Sequence, residues 1–293
     1  MGRHDTPLFT RATGHLLRGL FKGRGQTLEY GEELDTPHYR LSLHPSAHCL
    51  GAAQVLVQVK ETGERILYTG DLKLRPNATA PATEVVRCDT LVVDATYGAP
   101  QYRFPPDAET LTRLRTLVDV WRGQGFTPVV MGYRTGKAQE ALWHLTSWGL
   151  SVAVDPAVYD VVRDYEEMGV AFPGPFRRLG ADGLRDGEVV ICPPGRGGLR
   201  HLPHGRRYKT VFLTGWAMGA GQWWVRSNSS LPLSDHCDFD DLLSYVRLTG
   251  ARRVLPVFGG RELARYLKRG GMEARPLDPP TERRELAYQL ALI

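Results

Sequence analysis

Four polar residues sit where apolar, strand-like runs give out. His48 follows "LSLHPSA", Asp71 follows "ILYTG", Asp94 closes "DTLVVD", and His236 lies in "LPLSDHCDF". Imidazole nitrogens and carboxylate oxygens are zinc donors and can act as general acids and bases. A side chain at the end of a buried strand is held rigidly at one sheet edge. Taken singly, a strand-end Asp more often closes a turn, and a single His more often satisfies an ordinary hydrogen bond. The four together carry more weight, although their spacing alone identifies no metal site.

The elements around them fall into two textures. The first hundred residues are β-rich: "HYRLSLHP", "AAQVLVQVK", "RILYTGD" and "DTLVVDATYG" are short strand-like runs broken by turn residues, and "ETGER" at 61–65 fits a hairpin turn. From about Pro105 helical and strand patterns alternate. "DAETLTRLRTLVDVWRGQG", "TGKAQEALWHLTSWG" and "AVYDVVRDYEEMG" read as helices, and "TPVVMGY", "SVAVD", "GEVVICPP" and "KTVFLTGWA" read as buried strands. The last sixty or so residues read helix–strand–helix. The pattern predicts an α/β domain interrupted by a second α/β insert. "RTGKAQE" lacks the GxxxxGK[ST] of a phosphate loop, so it reads as a helix start with Thr135 as the cap.

Composition narrows the functional classes. The chain has 293 residues, 42% hydrophobic and 24% charged, as in ordinary globular domains. No apolar run reaches the roughly 20 residues that span a bilayer. The N-terminus shows no secretory pattern, and the four cysteines (Cys49, Cys88, Cys192, Cys237) form no CxxC pair. A cytoplasmic chain with free thiols and no membrane partner is therefore expected. The net charge of +5 points mildly to a polyanionic partner. Basic residues cluster in "FRRLG", in "GRGGLRHLPHGRRYK" and in "RELARYLKRG". Arg200, Arg206 and Arg207 in the Gly- and Arg-rich stretch, with Lys73 beside Asp71, are the expected phosphate contacts. Trp223 and Trp224, close to Arg226, are candidates for base stacking or for packing.

Six ordered motifs carry a resemblance: "HPSAHCLGAAQV", "YTGDLKLRP", "CDTLVVDATYG", "GYRTGKAQEAL", "TGWAMG" and "LPLSDHCDFDDLL". Together they resemble the metallo-β-lactamase-fold nucleases of the β-CASP group, and within it the bacterial DNA exonucleases encoded beside DNA ligases. The similarity runs from about Thr6 to Leu277. It implies an α/β fold: a metallo-β-lactamase-like αββα sandwich over 1–104 and 231–293, with a β-CASP-like insert over 105–230. It also implies zinc, two ions in the family, with His48 and Asp71 as metal ligands and Asp71 bridging the ions. Asp94 and His236 match two β-CASP motifs and would act at the scissile phosphate. The implied partners are nucleic acid, DNA rather than RNA, and repair or ligase-associated proteins.

The chain departs from that pattern at two places. HxHxDH, which in the family supplies four metal-site residues, is absent from this sequence, and the family's last motif histidine is replaced by Phe258 in "VLPVFGG". The chain is thus expected to begin after the HxHxDH loop, with the first strands of the fold missing. The matched motifs leave only His48 and Asp71 as ligands. The expectation is a degenerate or empty zinc site on a non-catalytic nucleic-acid-binding or scaffold relative. The alternative is an active zinc-dependent DNA or RNA nuclease whose site is completed by a partner chain or a missing N-terminal segment.

Overall fold

A computed structural model describes residues 7–21, 23–219 and 225–277. Trp223 and Trp224 lie outside the described residues. The chain forms two compact units, residues 1–102 with 236–293, and residues 103–235. The junctions expected from sequence stood at 104/105 and 230/231.

The first unit opens with β1 (Leu8–Phe9), α1 (Arg11–Leu16), α2 (Arg18–Phe21) and β2 (Gln26–Thr27), followed by β3 (Glu33–Asp35), β4 (Tyr39–Pro45), β5 (Ala53–Val59), β6 (Arg65–Tyr68) and β7 (Thr90–Asp94). The second unit comprises α3 (Asp107–Gly123), β8 (Thr127–Met131), α4 (Lys137–Ser147), β9 (Val152–Val154), α5 (Pro156–Glu167), β10 (Phe176–Arg178), β11 (Val189–Cys192), α6 (Arg196–Leu199), β12 (Tyr208–Leu213) and β13 (Ser229–Leu231). The chain then returns to the first unit with α7 (Phe239–Thr249), β14 (Arg253–Val257), α8 (Arg261–Arg269) and β15 (Glu273–Ala274).

In the first unit seven strands form one mixed sheet in the order β15-β14-β7-β6-β5-β4-β3. The predicted hairpin at 61–65 joins β5 to β6, with Gly63 at φ 72° in the left-handed region that its turn requires. One face of the sheet is sealed: Leu56, Leu67, Leu91 and Val254 pack with Phe239, Leu242, Tyr245, Leu263 and Leu267 of α7 and α8. Asp238 caps α7 by accepting from the Asp241 N–H, and Gly250 ends it at φ 68°. The other face presents Leu41, Val55, Val57, Val59, Ile66 and Val92, all only partly buried. An αββα sandwich has two large sheets; among the described residues the first unit has this one and the two-stranded pair β1–β2.

The second unit is a six-stranded sheet in the order β10-β9-β11-β8-β12-β13, and every pairing in it is parallel. Val129, Val130, Val152, Val154 and Ile191 are fully enclosed, which is why these strands read as continuous apolar runs rather than alternating ones. α3 buries Thr110, Leu114, Val118 and Trp121 at helical spacing. α4 differs from expectation at its start: Gly136, at φ 87°, precedes Lys137, no side chain caps the helix, and Thr135 is not its cap.

Candidate functional site

The four sequence-chosen residues stand on four segments of the first unit, and the backbone stitches those segments together. His48 follows Ala47, which adopts the left-handed φ of 52°. The Asn77 amide donates to Ala47 O at 3.0 Å and His48 O at 3.3 Å, and the Lys73 N–H donates to Ser46 O at 3.0 Å. The Cys237 N–H donates to Leu72 O at 2.7 Å, tying the His236 segment to the Asp71 segment. Arg75 reinforces the same join, reaching Asp238 at 2.6 Å and Asp241 at 2.9 Å. Asp94 ends β7, where its N–H donates to the buried Thr69 hydroxyl at 3.0 Å.

The side chains converge as a result. His48 Nε2 lies 3.6 Å from Asp71 Oδ2, and the His48 and His236 rings are 4.8 Å apart, edge to face. His236 Nδ1 bonds Asp94 Oδ2 at 2.6 Å. Asp94 is 2% exposed, and its other oxygen accepts from Thr96 N–H at 2.9 Å and the Thr96 hydroxyl at 2.7 Å. Burial alone would push the Asp94 carboxyl up. The charge and hydrogen bond of a protonated His236, with the side-chain and backbone hydrogen bonds of Thr96, outweigh it and hold the group below the usual carboxylate value. When His236 is neutral, the Asp94 carboxylate on Nδ1 favours the tautomer protonated there, which leaves the lone pair on Nε2.

One ligand atom each from His48, Asp71 and His236 lies within 4.8 Å of the other two. Two imidazoles and one carboxylate form a common three-ligand zinc donor set. The Asp94–His236 bond is the carboxylate–imidazole support that orients metal-bound histidines. The residues therefore fit one zinc ion. They do not fit two, since three or more ligands per ion require about five donor groups even with one carboxylate bridging, and the described cluster offers three residues. His236, expected to act at the scissile phosphate, has a ring nitrogen within 4.8 Å of the ligand atoms of His48 and Asp71.

Both non-glycine residues with positive φ among the described residues flank this cluster. They are Ala47, next to His48, and Phe258 at φ 58°. Phe258 follows Val257, which pairs with Asp94 across β14 and β7. Strained backbone of this kind persists where the surroundings over-determine it, and such places are frequently functional.

The expected phosphate contacts divide. Lys73 is 1% exposed, so its side chain is withdrawn from any strand on the surface, and the expectation for it is corrected. The signal was misleading because a lysine two residues from a site aspartate looks the same in sequence whether it points in or out. Arg200 and Arg207 are exposed. Arg207 stacks over the Phe126 ring at 4.1 Å, and Arg206 holds Leu184 O at 2.7 Å and Asp186 at 3.1 Å.

Sequence reading passed over Arg75, Thr69 and Asn77, whose roles depend on segments far apart in the chain. It also passed over the buried Lys137, which meets Glu140 and Asp235 at 2.7 Å each.

The chain is similar to a probable DNA ligase of Opitutus terrae. The two are 35% identical over 279 residues, which is 92% of this chain and 27% of that protein. It is also similar to the transcription termination factor FttA of Pyrococcus abyssi, 32% identical over 136 residues, 45% of this chain and 21% of that one. Cleavage and polyadenylation specificity factor 73 of Drosophila melanogaster is 31% identical over 119 residues, 40% of this chain and 17% of that one. The chain thus spans about a quarter or less of the length of these curated relatives. No family model matches it.

Proposed function

We propose that this chain is a nucleic-acid-processing protein of the metallo-β-lactamase/β-CASP nuclease family, with a reduced metal centre. One observation carries the reading: His48, Asp71 and His236 present three donor atoms within 4.8 Å, backed by buried Asp94. The ordered motifs support the family, as do the similarities to FttA and to cleavage and polyadenylation specificity factor 73. The similarity to a probable DNA ligase over 92% of the chain supports DNA as the nucleic acid and a repair or ligase-associated setting. A zinc ion at these three residues would polarise a phosphodiester and acidify bound water. The chain's own residues hold the three donors in place and keep His236 in the metal-binding tautomer. With one ion and no second, the chain by itself binds nucleic acid and cleaves it weakly or not at all.

A second reading has its own observation. The partly buried apolar face of the first unit's sheet, Leu41 to Val92, is a surface that further polypeptide could cover. Such a segment could bring the remaining ligands and restore a two-zinc nuclease.

Metal content of the purified chain, measured by mass spectrometry beside a nuclease assay on labelled single-stranded DNA, tests both readings. The first expects at most one zinc per chain, lost in Asp71→Asn, and little cleavage. Robust cleavage by the chain alone, abolished by Asp71→Asn, would overturn it.

A further inference from the structure

We propose that the carboxyl edge of the second unit's parallel sheet carries a phosphate-binding subsite. It is formed by the Arg200 guanidinium and the Nε2 side of His201, with the ring oriented by buried Asp155, and it takes one phosphate of a nucleic-acid strand. The proposal rests on the nucleic-acid reading above and names a second place where the strand is held.

The subsite is built from the inside outward. Asp155 follows β9 directly, and its N–H donates to Ile191 O of β11 at 2.8 Å. The residue is 1% exposed. Its Oδ1 accepts the Ala157 N–H at 2.9 Å and so caps α5, and its Oδ2 meets His201 Nδ1 at 2.6 Å. Both carboxylate oxygens are engaged, so the group is fixed. With Nδ1–H given to Asp155, Nε2 is the nitrogen left to other partners. The His201 side chain is 36% exposed, and Arg200 Nε donates to His201 Nε2 at 3.2 Å.

The loop after β11 makes this possible. Gly195 lies at φ 83°, and a Cβ at Gly198 would stand 2.2 Å from Pro193 O. Only glycine allows so tight a turn, and it folds "PPGRGGLRH" back over the end of β9, delivering His201 to Asp155. In open α/β sheets, ligands bind outside the carboxyl ends of parallel strands.

The chemistry suits an anion with several oxygens. Neutral Nε2 only accepts. As the imidazolium, whose single positive charge faces the Asp155 carboxylate, the ring instead donates from Nε2 to a phosphate oxygen. Nε2–H and the guanidinium then both donate to the phosphate as charge-assisted hydrogen bonds. Neighbouring arginines are otherwise engaged, Arg206 with Leu184 O and Asp186 and Arg207 with Phe126.

The alternative is that His201 and Asp155 merely staple the loop. Anisotropy of a labelled single-stranded oligonucleotide across a salt series separates the two. Arg200→Ala and His201→Ala should each weaken binding about three- to tenfold, and Arg200→Ala should flatten the log–log salt slope by about 0.7, one phosphate contact on a single strand. Arg115→Ala, at an exposed position of α3, should leave the slope unchanged. Inorganic phosphate titrated against wild type should shift the His201 ring signals in NMR spectra saturably, and Arg200→Ala should abolish the shift. Comparing 5′-phosphorylated with 5′-hydroxyl oligonucleotides separates a terminal phosphate, tighter by about tenfold, from an internal phosphodiester, equal in both. If both variants bind with wild-type affinity and slope, the subsite is overturned while the nucleic-acid reading stands. A fall in melting temperature of His201→Ala with unchanged oligonucleotide affinity also overturns it. If wild type binds no oligonucleotide yet phosphate shifts His201, the nucleic-acid reading fails instead, and with neither response both fail.

Discussion

In the proposed zinc centre, Asp94 would act through His236 rather than by touching the ion. Buried and ionised, it accepts from His236 Nδ1 and from Thr96, and so decides which imidazole nitrogen is left for a ligand's role. Asp94→Asn keeps the size of the side chain and removes the charge that holds the tautomer. Zinc affinity, read by competition with a chromophoric chelator, should fall about 10- to 100-fold, the usual cost of losing such a supporting carboxylate. An unchanged affinity would detach Asp94 from the centre. Elsewhere burial raises the thiol pKa of Cys88 to about 11, and those of Cys192 and Cys237 still further. Thiol reagents should therefore label half-buried Cys49 first, as peptide mapping would show.

At the scale of elements, the start of α4 is held by charge in the absence of a side-chain cap. Burial works against a charged Lys137, but Asp235 and Glu140 more than offset it and keep the ammonium firmly protonated. Lys137→Met leaves two carboxylates facing each other out of water, at a cost of about 3–5 kcal/mol. Adding Glu140→Gln and Asp235→Asn should recover much of that loss in urea melts. At the sheet's other end, Arg177 of β10 clamps Glu188 at 2.7 Å. Burial would raise the Glu188 carboxyl, and the Arg177 hydrogen bonds more than reverse it, so its folded pKa is lowered. A lowered acid contributes stability that is present above the unfolded value of about 4.3 and is lost as pH falls through the folded one. Between pH 5 and 3, wild type should therefore lose more stability than Glu188→Gln. Equal losses would show that the pair contributes nothing.

For the whole molecule, two units mean two cores. Leu242 is fully buried against the seven-stranded sheet, and Leu145 against the parallel one. Each Leu→Ala change should cost about 2–5 kcal/mol. Hydrogen exchange should show Leu242→Ala accelerating the slow amides of β6, β7 and α7, and Leu145→Ala those of β8, β9 and β11. Protection lost evenly across both units from either change would mean that they open as one. Among the described residues no helix is long and apolar enough to cross a membrane.

The sequence by itself determined the parts whose cause is local. Alternating and continuous apolar runs marked β4, β5, β7 and the buried parallel strands, Gly63 marked a hairpin, and the strand-end positions singled out His48, Asp71, Asp94 and His236, whose side chains the fold brings close together, because period and turn chemistry are written over a few residues. Asp155 carried the same strand-end signal as Asp94, followed by a proline that opens a helix, and could have been found the same way. Only the tertiary structure could place His236 among the metal-capable atoms, since its partners Asp94 and Asp71 are 142 and 165 positions away (236 − 94 and 236 − 71). The same holds for Lys73 and Lys137. A lysine's charge is identical in sequence whether its stem points to water or inward, and for Lys137 what meets it inside is the distant acid Asp235. Burial depends on which surfaces meet, and that is decided by packing, which no local pattern encodes.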